Sequence, residues 1–117
     1  METCAHYLLF SDEDVPSGAT QFKCAPPLRD SQNREHLRAA TGGAIAMVSS
    51  DHSPAPDSLK ALDSGSFLEA WGGVRGLQYT LPALNTLAQV RSAPPVKCVT
   101  SACCMCVQSS CAVAFAC

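Results

Sequence analysis

Five apolar residues in a row, Ala44 to Val48 (AIAMV), form the clearest hydrophobic feature of the chain. A run without polar alternation predicts a strand covered on both faces, as in a parallel sheet flanked by helices. It ends in a polar cluster, Ser49-Ser50-Asp51-His52-Ser53-Pro54. The carboxyl end of a buried parallel strand is where α/β barrels and open α/β sheets place their chemistry. The plain alternative is an Asx or Ser turn that caps the next segment. Upstream, Glu2 to Phe10 (ETCAHYLLF) reads as a strand end leading into a loop. Ser11 to Gly18, with Pro16 and Gly18, is a turn or loop, and Pro26-Pro27 favour extended backbone before them. Asp30 or Ser31 can cap a helix running through Arg34, His36 and Ala40, which Gly42-Gly43 ends. Only Leu37 and Ala40 give it apolar contacts, so it is predicted to lie on the surface with His36 exposed. Downstream, Pro56 to Gly65 is loop-like. Val74, Leu77, Leu81 and Leu84 then keep the spacing of a helix whose first turn begins at Gly72-Gly73. Trp71 and these leucines are read as core, and the glycine pair allows close backbone approach.

Composition divides the chain in two. All ten acidic residues lie at or before Glu69, and six of the eight cysteines fall in the last 20 residues, a stretch without a charged side chain. That change sets a boundary near Leu84–Asn85, giving a soluble-looking part, 1–84, and an irregular Cys-rich tail, 85–117. The 117 residues allow one ordinary domain. A net charge of −2 argues against nucleic acid or an anionic membrane as partner. Glu2, His6 and Asp12 to Asp14 interrupt the opening stretch, so no secretory signal is expected; the setting expected is cytoplasmic, or endomembrane for a full-length protein.

Four motifs occur in order: E-T-C-A-H-Y-L at Glu2–Leu8, F-K-C-A-P-P-L-R-D at Phe22–Asp30, V-S-S-D-H-S-P at Val48–Pro54, and F-L-E-A-W-G-G-V-R-G-L-Q at Phe67–Gln78. They resemble the cyclic amidohydrolase family that holds dihydroorotases and hydantoinases. A-W-G-G followed by G-L-Q, with the E-T-C-x-H-Y opening, resembles the allantoinases within it. The likeness runs from Met1 to about Leu84; Ala5 departs from it, since the family usually has Pro there.

The resemblance implies an α/β fold, part of a metal-dependent (β/α)8 barrel. The chain would supply the seventh strand end at Thr3–Tyr7, the next helix, the eighth strand at Ala44–Ser50 and the start of the eighth helix. It further implies hydrolysis of the hydantoin ring of allantoin to allantoate, with two divalent ions, zinc by expectation. Asp51 matches the family's metal-binding aspartate, which also serves as general base and then acid. Cys24 and Ala25 match a loop whose backbone meets the ring amide, and Gly72 and Gly73 would pack near the site. His6 and His52 are assigned supporting places beside the site, not metal ligation, because the family's four metal histidines lie upstream of any segment present here. His52, next to Asp51 on a strand, would face the other way.

Two strands cannot close an eight-stranded barrel of about 250 residues. One ligand cannot hold an ion that takes about three. The 117-residue chain is therefore expected to be a truncated piece, inactive alone, whose complete enzyme is a homo-oligomer. A frameshift, retained intron or gene-model error would explain the change after Leu84. The alternatives are a metal-binding tail through Cys103, Cys104, Cys106 and Cys111, a disulfide-stapled tail or a tail anchor. The competing functions are a non-enzymatic truncated product or a small Cys-rich metal-binding protein.

Overall fold

The computed structural model describes residues 1–91, 96–100 and 103–107. Its order is β1 (Glu2–Cys4), α1 (Ala5–Leu9), α2 (Ser31–Ala40), β2 (Met47–Ser49), α3 (Leu77–Arg91), β3 (Val96–Thr100) and β4 (Cys103–Val107). The strands form one sheet in chain order, with β1, β2 and β3 parallel and β4 antiparallel to β3. Helices thus join successive parallel strands, the connection that parallel pairing requires. No helix among the described residues is long and apolar enough to cross a membrane.

Val48, 0% exposed, sits at the centre of the core, with Ala5, Leu8, Ala83 and Leu84 buried around it and Leu9, Leu37 and Leu87 packed against them. The cluster thereby gathers side chains from β2 and all three helices.

Asp30 caps α2 as its sequence suggests: its side chain accepts the Asn33 N–H at 2.7 Å. No residue of α2 is buried, in keeping with a surface helix. Its arginines do the docking. Arg38 donates to the Leu8 carbonyl at 2.6 Å and Arg34 to the Leu9 carbonyl at 3.3 Å, satisfying oxygens that the short α1 cannot bond internally.

Several expectations are corrected. Extended backbone ends at Cys4, because Ala5 and Leu8 bury one face of a helical turn rather than alternating. The apolar run 44–48 becomes strand only from Met47. Ile45 N–H donates to Ala40 and Gly42 N–H to Ile45, so the chain turns there and leaves Ala44 and Ala46 exposed. α3 begins at Leu77, not at the glycine pair, and Trp71, 50% exposed, lies outside the core. α3 also runs through the boundary expected at Leu84–Asn85. The region expected to be irregular contributes β3 and β4; Val and Thr in V-K-C-V-T suit extended backbone. Cys111 and Cys117, with the tail beyond 107, lie outside the described residues.

Candidate functional site

Parallel pairing builds the site. β1 and β2 align Glu2 with Met47 and Cys4 with Ser49, an offset of 45 residues. Two residues past each strand, the same offset matches His6 with Asp51. Asp51 follows the strand with φ at 43°, a left-handed backbone in which Asp is among the better tolerated non-glycine residues. Its exposed carboxylate, the Cys4 thiol and a ring nitrogen of His6 all lie within 4.8 Å of one another.

His6 is 8% exposed, and neither ring nitrogen has a hydrogen-bond partner among the described residues. Burial lowers its proton affinity below that of an ordinary imidazole, against the pull of the Asp51 charge. Its ring lies 4.1 Å from that of Tyr7, centroid to centroid. Burial pushes the Cys4 thiol up, while a contact with Ser49 Oγ at 3.4 Å works in the opposite direction. Burial likewise raises Cys24 and Tyr7, and the Tyr7 hydroxyl donates to the Pro26 carbonyl at 2.8 Å. The Asp51 charge reaches all four groups.

A second knot of contacts ties the two glycine- and proline-bearing loops together. Gly73 N–H donates to the Lys23 carbonyl at 2.9 Å. The buried Lys60 ammonium donates to the carbonyls of Gly73 at 2.6 Å, Trp71 at 3.1 Å and Lys23 at 3.4 Å. Lys23 in turn donates to Ala70 at 2.6 Å. Gly73 is required as glycine: its φ is +154°, and a Cβ would stand 2.6 Å from the Ser53 carbonyl oxygen. Gly72 has ordinary room, about a Cβ contact from Ala25. Ala25 therefore sits beside Gly72, and Lys23 beside Gly73. Replacing Lys60 by Met keeps the stem but strands the Trp71 and Gly73 carbonyls, the Lys23 carbonyl keeping its Gly73 N–H. A loss of about 1–3 kcal/mol is expected from the urea midpoint, whereas an unchanged midpoint would show that water satisfies them.

His52 does not join the cluster. Its Nδ1 accepts the Leu77 N–H at 3.2 Å, satisfying an otherwise unbonded donor at the start of α3. Cys4 and Lys60 were missed from the sequence. Cys4 had a usable signal, the Cys-x-His spacing with His6; Lys60 had none, since its partners are 11 to 37 residues away. An apolar cavity of ≈ 450 Å³ opens beside His6 between Leu9, Phe10, Phe22, Tyr79 and Ala83. Asp51 is not in its wall, and its lining suits packing against apolar side chains more than a polar ring.

No protein-family model matches the chain. It is 58% identical over 83 residues to a probable allantoinase of Oryza sativa subsp. japonica, and 55% identical over 83 residues to an allantoinase of Arabidopsis thaliana. Each match covers 70% of this chain and 16% of the relative. A mitochondrial allantoinase of Aquarana catesbeiana is 49% identical over 92 residues, 78% of this chain and 19% of that protein. Among solved structures, a D-hydantoinase (dihydropyrimidinase) from Thermus sp. matches with a TM-score of 0.61 at 29% identity, over 77% of this chain and 20% of that one. The chain thus spans about a fifth or less of the proteins it matches. Over its matched residues the chain is similar to one segment of these allantoinases and of the hydantoinase.

Proposed function

We propose that residues 1–84 are the closing part of a metal-dependent (β/α)8 barrel that hydrolyses allantoin to allantoate. β1 and β2 would be its seventh and eighth strands. The observation that carries this reading is Asp51, aimed from just past the carboxyl end of a buried parallel strand, within a sequence 58% identical to a probable allantoinase. The exposed Asp51 carboxylate is an oxygen donor of the kind a divalent cation takes. When bound, such ions polarise the ring carbonyl and make water a stronger nucleophile.

Asp51 would take the proton of the attacking water on a carboxylate oxygen and return it to the ring nitrogen as the amide bond breaks. Ala25, exposed on the loop tied to Gly73, would meet the ring amide through its backbone N–H and C=O, with Cys24 buried behind it. Gly72 and Gly73 would keep that approach open. His6 would stand beside the Asp51 carboxylate, and His52 would fix the start of α3. The remaining ligands of a two-ion centre would come from other strands of a complete enzyme, which we take to be a homo-oligomer. The partner is a small polar molecule, with neither nucleic acid nor membrane involved. The tail, 85–117, would be of other origin than the barrel piece, although α3 carries the chain across that boundary. In the chain alone β3 lies along the edge of β2 that a closed barrel would give to another strand, so tail and barrel would compete for one edge.

A graft tests this. Residues 1–84 replace the matched segment of the Oryza sativa relative, and allantoin turnover of the zinc-loaded product is measured. Turnover within about tenfold of the parent enzyme is expected, since a difference of about 1.4 kcal/mol is a factor of ten. A folded graft without turnover would refute the proposal.

A further inference from the structure

We propose that Cys4, His6 and Asp51 form a single-ion site for a thiophilic divalent cation, one that this chain can hold without ligands from any other segment. This goes beyond the reading above, in which Asp51 serves ions held chiefly by other strands; the two share only that carboxylate. The donors come from three separate local structures, the end of β1, the first turn of α1 and the turn after β2, yet their atoms fall within 4.8 Å of one another. In a tetrahedral site with bonds of about 2.0–2.3 Å, ligand atoms stand about 3.3–3.8 Å apart. From a spacing of at most 4.8 Å the cluster needs to close by at most about 1–1.5 Å on binding.

An independent observation points to the ligand. His6 is more than nine-tenths buried with both ring nitrogens unpartnered among the described residues, and one of them faces the cluster. Buried polar atoms are nearly always satisfied, and a cation accepting a nitrogen lone pair would satisfy this one. Ser49 Oγ, 3.4 Å from Cys4 Sγ, is placed to donate to a thiolate, as outer-shell groups do for bound sulfur. Thiolate, imidazole and carboxylate with one open position is the donor set of an accessible zinc-type site rather than one for calcium or magnesium, which take oxygen ligands. As the sulfur–metal bond forms, Cys4 gives its proton to solvent.

Cobalt(II) is the probe. The full chain is made with Cys98, Cys103, Cys104, Cys106, Cys111 and Cys117 changed to Ser, so that a sulfur-to-cobalt absorption band reports Cys4 and Cys24 alone. One cobalt per chain with a near-ultraviolet band is expected. Cys4→Ser should abolish the band, His6→Phe should weaken binding at least tenfold, and Cys24→Ser should leave both unchanged. A band that survives Cys4→Ser, or is lost with Cys24→Ser, overturns the site. If the six-serine background loses its helical circular dichroism, stoichiometry is read in the unaltered chain instead. There Cys4→Ser must lower bound cobalt by one per chain, and no change overturns the site. Since the graft reports turnover and the chain reports ligation, either result can fail without the other.

Discussion

Replacing Asp51 by Asn in the graft is expected to cut allantoin turnover by about 10²–10⁴-fold, the contribution typical of a positioned general acid or base. Asn is nearly the same size and tolerates the left-handed backbone that Asp51 adopts at φ 43°. The fold should therefore survive with an unchanged thermal midpoint, and the loss belongs to chemistry. The amide offers no anionic oxygen to take a proton and is a far poorer partner for a cation. Steady-state rates measured beside circular dichroism separate the two effects. A variant retaining more than a tenth of the graft's turnover would remove Asp51 from its assigned role.

A second large effect is expected at Gly76, which the sequence alone marked only as part of G-L-Q. A Cβ there would overlap the carbonyl oxygen of Ser50, the residue immediately before Asp51. The Gly76 carbonyl also accepts the Thr80 hydroxyl at 2.6 Å and the Thr80 N–H at 3.0 Å, so it cannot retreat without opening the first turn of α3. Gly76→Ala must displace the end of β2, the start of α3 or both. A cost of about 3 kcal/mol or more is expected, at the upper end for overpacking because the obstacle is backbone. Gly43→Ala is the control: its added Cβ would meet only the Ala40 carbonyl, at 3.8 Å, and should shift stability by about 0.5 kcal/mol or less. Equal urea midpoints for the two variants would show that Ser50 and Gly76 are not in contact.

Local signals carried the reading where one residue type settles a local conformation. Asp30 supplies a side-chain oxygen to the first turn of α2, and that turn forms where its pattern says. The apolar run before Asp51 marks β2 because Val48 is the strand residue that enters the core, though its neighbours Met47 and Ser49 are only half-buried and the turn at Thr41–Ile45 takes the run's first residues. Motif order led to the cyclic amidohydrolases through side chains whose spacing no periodicity explains. What stayed hidden depends on distance along the chain. Cys4 meets Asp51 only because two strands pair across 45 residues, and Lys60 reaches three carbonyls on two loops. Trp71 lies half exposed for a related reason. Gly73 N–H is held to Lys23, which fixes its loop across the surface, whereas the apolar pattern alone would fold the indole inward.

Crystals of the zinc-loaded graft, recorded on both sides of the zinc absorption edge, locate every bound ion relative to these side chains. An ion about 2.0–2.2 Å from an Asp51 carboxylate oxygen is expected, with Thr3 still opposite Val48 on adjacent parallel strands. Zinc present in the barrel while Asp51 turns away beyond bonding reach would show that this segment does not bring the carboxylate to the metal.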